Sequence, residues 1–524
     1  MLLIYLFFFQ PQAPAPVATN SIESSQTQAS AKPPMQVPMG AQPDLESKSF
    51  ELKNDIVNIR VNGLGSILDI SFDNYKENLK KDSRVHFHYG SAGFNRSSVQ
   101  VGNSLVNWRV VESQESKLVL VGKVEGATLT RTIELKPGNY FLTFKDQLEN
   151  LSSQVLRASA RISLNHPLAK ETRHPGFFES LFQPQAEIQQ SMVFADGSLH
   201  KRLLVDTSTP VLDSNMPSWS GFSHKYFFMG AIPLDVSVTS IETKRIADSG
   251  VVQEIQMTEK QVPPTEKTSY TYSIYVGPKD LPELAKVSPE LHQVVEYGDW
   301  IGPIARFLLG ILHFFYSLIP NYGVGIILLT LLVKTALFPL AFKSAISMRK
   351  LQLIAPKMKD IRDKYKEDKY RMNAEMMALY KTEKVNPVGG CLPLLLQMPV
   401  FFALYRVFFV SIELRQAPFF GWIQDLASHD PYLVTPVLMT GLMWLQQKLT
   451  PMPPADDTEA VRMQRAMLKW MPIVFGVIML FLPAGLNLYM LTNALISVIQ
   501  QLWLNKHLNL KFPLSTASQS QATA

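Results

Sequence analysis

Residues 323–342 read Gly-Val-Gly-Ile-Ile-Leu-Leu-Thr-Leu-Leu-Val-Lys-Thr-Ala-Leu-Phe-Pro-Leu-Ala-Phe, an apolar run with a single lysine, Lys334, inside it. About 20 apolar residues carry a helix across the roughly 30 Å hydrocarbon core of a bilayer. A lysine near the centre of such a helix costs roughly 2.5–3.5 kcal/mol on insertion scales, so its placement needs a reason. The next lysine, Lys343, follows nine residues later. That is about 13 Å of helical rise, more than a lysine stem spans by snorkelling. Two readings follow. Lys334 either snorkels or pairs with a neighbouring helix, or it faces a wet, protein-lined cavity inside the bilayer. The second accounts better for its depth.

Charge around this run sets its orientation. Between Lys343 and Lys384 twelve Lys and Arg stand against six Asp and Glu, an excess equal to the +6 of the whole 524-residue chain. By the positive-inside rule this loop is cytoplasmic, so the Lys334 span enters from the far side and residues before about 320 are exported. Apolar residues pool after residue 300, whereas the stretch before 295 has the composition of a soluble domain. The chain is therefore a membrane protein with a large water-exposed domain. One cysteine, Cys391, excludes an intramolecular disulfide and any multi-cysteine metal site. At the N-terminus, residues 1–9 are apolar but too few to span, and no Lys or Arg precedes them. They are expected to be a truncated signal anchor with its N-terminus in the cytosol.

Residues 10–47 hold prolines, glutamines and serines with almost no large apolar side chains, the composition of a flexible linker. From 48 to 290 the pattern changes to short alternating runs. Residues 118–135 read as paired strands and 269–276 alternate in the same way, which predicts an all-β sandwich. Residues 301–319 form an amphipathic helix whose polar stripe, Arg306, Gly310, His313 and Ser317, lays it in the membrane interface. Spans are expected at 321–342, 389–412, 432–449, 467–482 and 485–504. The loop at 413–431 is then exported, and the loop at 450–466 and the tail at 505–524 are cytoplasmic.

The cytoplasmic segment 343–388 carries more than charge. Leu351, Ile354, Met358, Ile361 and Tyr365 follow helical spacing, and Met372, Met376 and Leu379 repeat it, which predicts an antiparallel helical hairpin. Such a hairpin either buries its own apolar stripe or also recruits partners. In the second case the surface includes Arg349, Lys350, Lys357, Met358, Tyr365, Met372 and Met376, because methionine surfaces adapt to varied ligands. Within the spans, Thr330 lies one turn before Lys334, Gln397 in the next span, and Asn487 and Tyr489 in the last. Singly such groups are helix–helix glue; beside a mid-membrane lysine they suggest one hydrophilic face shared by several helices. No nucleotide-binding loop, HExxH or nucleophile elbow is present. His86 and His88 share a strand face without a nearby third ligand, so no metal or other cofactor is expected. The basic charge is too concentrated beside the membrane to argue for DNA.

Three segments carry a resemblance. Met376-Met-Ala-Leu-Tyr-Lys with Lys384-Val-Asn-Pro-Val-Gly-Gly-Cys-Leu-Pro-Leu-Leu-Leu-Gln-Met-Pro-Val-Phe-Phe-Ala-Leu-Tyr405, then Val410-Ser-Ile-Glu-Leu-Arg-Gln-Ala-Pro-Phe419, then Leu482-Pro-Ala-Gly-Leu-Asn-Leu-Tyr489 closely resemble the core signature of the YidC family of bacterial membrane protein insertases. The resemblance spans the architecture: an α-helical polytopic membrane protein, with an N-terminal anchor and a five-helix core, and a large all-β periplasmic domain of β-supersandwich type. It implies a non-enzymatic insertase and chaperone of the bacterial inner membrane, acting through a hydrophilic groove lined by Lys334, Thr330, Gln397 and Tyr489. The family's groove charge is usually arginine, and a groove-side tryptophan of some members corresponds to Phe481 here. Implied partners are nascent membrane proteins, the phospholipid bilayer, the Sec translocon and, weakly because the tail is short, the translating ribosome. Two alternatives stand beside this: an ion or small-solute transporter using Lys334, and a β-sandwich sugar enzyme.

Overall fold

The computed structural model describes residues 43–511 apart from 79–80, 91–92, 103, 125, 168–188, 205–210, 214–216, 247–249, 299, 387–391 and 451–458. The expected anchor at 1–9, most of the linker and the end of the tail lie outside the described residues. The last part of the linker does not behave as one. Pro43–Glu46 forms a short helix, Leu45 O accepts from Gly63 N at 2.8 Å, and Glu46 pairs with Arg96. The β-domain therefore begins about five residues earlier than its composition indicates.

Among the described residues, the β-domain forms three antiparallel sheets of four, nine and seven strands. Alternation along the chain builds them. In Ala127–Leu135 every second side chain is buried, and the strand pairs with Lys117–Val124 in the hairpin expected over 118–135. Lys267–Pro278, which contains the alternating 269–276, pairs along Phe141–Asn150 at the centre of the nine-stranded sheet. The core is aromatic, with Phe144 stacked on Tyr272 at 5.0 Å and Trp219 fully buried.

A charge sits inside this core. Arg131 is 0% exposed and meets Asp146 on the neighbouring strand through two bonds, Nε to Oδ1 at 2.6 Å and Nη2 to Oδ2 at 2.7 Å. Its Nη1 donates to Leu64 O at 3.2 Å, in a turn of the four-stranded sheet, and to Ser97 O at 3.1 Å, in the seven-stranded sheet. The Trp108 ring lies 4.7 Å from the guanidinium. One side chain thus ties all three sheets together, and the adjacent carboxylate holds its protonated form. A second polar pair is the buried His166 and the half-buried His224, with Nε2 atoms 2.9 Å apart.

After the β-domain, the described residues form the helices α1 Gly302–Leu318, α2 Tyr322–Leu353, α3 Ala355–Lys364, α4 Lys369–Thr382, α5 Leu392–Val410, α6 Val434–Leu449, α7 Glu459–Met479 and α8 Ala484–Lys511. In α1, Ala305, Leu308, Leu309 and Leu312 are buried against α2 and α5 while the opposite side is open. The β-domain joins this bundle at polar points. Arg415 and Gln416 donate to Lys76 O, and Tyr297 OH meets Ser411 Oγ at 3.3 Å.

Four helix ends fall away from the expected segment boundaries. α2 runs on past 342 to Leu353, because Pro339 is the only interruption and the sequence after it keeps good helix formers. The hairpin helices start at Ala355 rather than 343, α7 starts at Glu459, and α8 continues past 504 to Lys511. Among the described residues, α2 alone is long and apolar enough to cross a bilayer by length and composition; α1, Leu395–Val410 and Lys469–Met479 are shorter apolar stretches. Arg462, Arg465 and Lys469 in α7 and the recurring amides of α8 dilute what would otherwise be similar runs.

Candidate functional site

Asn321 caps α2 by accepting from Val324 N at 3.1 Å, which starts the helix that presents Lys334 three turns later. The half-buried ammonium donates to Ser497 Oγ on α8 at 2.7 Å. Ser497 in turn donates its own proton to Asn493 O at 2.7 Å. Gln397 on α5 donates from Nε2 to Tyr489 OH at 2.8 Å and to Asn493 Oδ1 at 3.2 Å. Lys334, Gln397 and Tyr489 therefore converge on one face of the last helix. Among the described residues, no acidic side chain pairs with Lys334. A polar cluster with one net positive charge, set among apolar helices, is suited to receiving a carboxylate or an unpaired backbone group.

Three sequence candidates stand apart from this cluster. Thr330 is buried one turn from Lys334, but its hydroxyl donates to Ile326 O at 2.6 Å within its own helix. Asn487 caps the turn between α7 and α8, donating to Met479 O at 3.1 Å and Leu482 O at 3.4 Å. Phe481 lies in that same turn and is 60% exposed. Sequence reasoning missed Ser497, and it noted the linking Asn493 as a polar residue of the last span without placing it in the groove. A signal was present: Tyr489, Asn493, Ser497, Gln501 and Asn505 recur every four residues along α8.

The hairpin uses two of its methionines internally. Met358 and Met376 are buried with Ile354 and Val385 in a small apolar cluster, flanked by Leu351, Ile361, Leu379 and Tyr380. Lys357 Nζ pairs with Glu383 Oε1 at 2.7 Å. The expectation that Met358 and Met376 face a partner is thereby corrected, because these side chains fill the space between α3 and α4. Met372 and Tyr365 are half-buried, with Lys364 Nζ 5.4 Å from the Tyr365 ring centroid. Arg349 and Lys350 end α2, where Arg349 donates to Gln352 Oε1 at 3.2 Å. The apolar side chains left outward are Tyr370 and Met377, seven residues apart on one face of α4. Elsewhere, His86 and His88 both approach Asp69, whose other oxygen is held by Arg60. That guanidinium already neutralises the one carboxylate a metal would need.

Three antiparallel sheets followed by a bundle of apolar helices with an internal cation that, among the described residues, has no acidic partner define a helical membrane protein with a large all-β domain. Family models match accordingly: "YidC periplasmic domain" over residues 49–311 and "60Kd inner membrane protein" over residues 314–511. A relative named membrane protein insertase YidC from Syntrophus aciditrophicus is 34% identical over 468 residues, 88% of this chain and 81% of the relative. Those from Citrifermentans bemidjiense and Haemophilus influenzae are 43% identical over 383 residues and 32% identical over 518 residues. They cover 73% and 93% of this chain, and 68% and 92% of their own lengths. The chain belongs to the YidC family of membrane protein insertases. It is an inner-membrane protein with a periplasmic domain, and nothing in these relatives supports the transporter alternative.

Proposed function

We propose that the cluster of Lys334, Ser497, Asn493, Gln397 and Tyr489 lines a hydrophilic groove through which this insertase passes the polar segment of a client membrane protein. The observation that carries the reading is a half-buried hydrogen-bonded network that, among the described residues, holds one cation and no acid. Moving a polar segment through hydrocarbon costs several kcal/mol for each unsatisfied backbone group. Hydroxyl and amide partners at mid-depth supply those bonds part-way, and the ammonium attracts acidic residues of a short tail more strongly than it would in water. The client's apolar helix then moves sideways into lipid, where its transfer free energy drives release. No nucleotide is needed. The membrane potential assists an acidic tail by about 2.3 kcal/mol per charge per 100 mV.

In this reading α1 lies in the interface and α2, α5, α6, α7 and α8 span the bilayer. The α3–α4 hairpin and the tail face the cytosol, and the loop at 413–431 faces the periplasm. The basic excess at 343–384 supports that orientation. The hairpin meets clients through its basic rim and the outward Tyr370 and Met377, with the Sec translocon and the translating ribosome as further partners. Reconstitution into sealed vesicles tests the groove. Lys334→Ala should insert acidic-tailed clients about tenfold more slowly, and Lys334→Arg should keep most activity. Insertion by Lys334→Ala at the wild-type rate would refute it.

A further inference from the structure

The last helix carries more polar residues than helix packing requires, and they form a ladder. Tyr489, Asn493, Ser497, Gln501 and Asn505 recur at four-residue spacing, each drifting about 40° from the one before. Every member is engaged. Tyr489 and Asn493 take Gln397, Ser497 takes Lys334, Gln501 donates to Asn505 Oδ1 at 2.9 Å, and Asn505 donates to Leu449 O at the end of α6 at 2.9 Å. None of the five is charged, so the ladder orients Lys334 without neutralising it.

Ser497 is the rung that matters for the cation. A hydroxyl has one proton and two lone pairs. Its proton is committed to Asn493 O, so toward Lys334 it can only accept. Lysine is a flexible point charge with three donors, and in an apolar helix an unheld ammonium extends toward the nearest water. Here the two ends of α2, Tyr322 and Leu353, lie about 18 Å and about 28 Å along the helix from Lys334. Ser497 draws the ammonium sideways onto α8 instead and leaves its other two N–H groups for a ligand. An arginine reaches several acceptors through its fork, whereas a lysine at this place depends on one well-oriented acceptor.

We propose that Ser497 is a positioning residue that parks the Lys334 ammonium on the α8 ladder, where it faces the carboxylates of a client's polar segment. This rests on the groove reading above. The test uses the full chain in sealed vesicles and two clients that differ only in an acidic or an uncharged exported tail. Ser497→Ala lowers the ratio of acidic-tail to uncharged-tail insertion about fivefold, the size of effect one hydrogen bond typically produces, and Ser497→Thr restores it. Ser497→Ala also raises the rate at which a water-soluble amine reagent labels Lys334, read by peptide mass spectrometry, because the freed side chain extends to the interface. An unchanged ratio with unchanged labelling overturns the proposal. So does an equal loss for both clients with unchanged labelling, which marks a merely structural serine. Lys334→Ala is run alongside: if it inserts both clients normally the groove reading itself falls, whereas a loss there with normal Ser497→Ala removes only the positioning role.

Discussion

Arg131 in the β-domain and Lys334 in the helical bundle are both cations drawn out of water, and the chain treats them in opposite ways. Arg131 has a carboxylate, two carbonyls and an indole face around it, and each of its contacts joins a different part of the domain. Lys334 has one neutral hydroxyl. A fully matched charge is a fastener; it has nothing left with which to bind. A charge held by a single weak acceptor keeps its attraction for whatever arrives, which is why the first is read as structure and the second as function.

The contrast can be broken at its strongest point. Asp146→Asn leaves the Arg131 charge buried without its counter-ion and should destabilise the β-domain by about 3–5 kcal/mol, seen as a lower denaturation midpoint of the strand circular-dichroism signal. A joint replacement, Arg131→Met with Asp146→Leu, should recover much of that loss. If Asp146→Asn is as stable as the wild type, Arg131 is not a fastener.

The histidine pair sharpens the comparison through pH. Burial lowers His166 to about 4, and burial together with His166 and Lys279 lowers His224 well below its ordinary range. Between about pH 6.5 and 4 the unfolded chain binds more protons than the fold. Stability therefore falls as pH drops through that window, by on the order of 3 kcal/mol for His166 alone, and is fully present above it. Asp280 runs the other way, because burial and then Glu413 raise it to about 6 and its neutral form suits the fold. The measurement is accordingly the difference between wild type and His166→Gln, whose unfolding midpoint should be less sensitive to acid. Equal slopes would show that the pair does not govern acid stability.

Effects in the bundle are smaller in free energy and appear in function. Lys334→Ala should leave the unfolding midpoint nearly unchanged, within about 0.5 kcal/mol, since no ion pair is lost. A large destabilisation would make Lys334 a second fastener and erase the contrast. Gln397→Leu, which removes a neutral member of the network, should slow acidic-tail insertion about threefold; a loss as large as that of Lys334→Ala would mean the amide, not the charge, is the principal ligand.

How much of this was legible depended on the range of each interaction. Hairpin 117–135, helix α1 and the run around Lys334 depend on local periodicity, and local periodicity displays them. Arg131 also left a trace, since it falls on the same strand face as Leu129, Ile133 and Leu135, but its partner lies on another strand and no pattern announces it. Ser497 is harder still. A serine in an apolar helix is ordinary glue unless a lysine 163 positions away happens to reach it. The reading of Met358 and Met376 as a docking surface fails for the same reason: periodicity gives a shared face, and only packing says what covers it.

The length of α2 has a mechanical side. Thirty-two residues make a rod of about 48 Å, and Leu351 at its far end is packed into the hairpin's own apolar cluster, so the hairpin rides on the same rod that carries Lys334. Pro339 removes one backbone bond five residues beyond the lysine and divides the rod into unequal arms. Flexing the shorter arm by about 10° at that pivot swings its tip by roughly 4 Å. The hairpin's end of α2 and the segment bearing the cation are therefore two arms of a single helix, and among its residues the proline is the place where one arm can bend relative to the other.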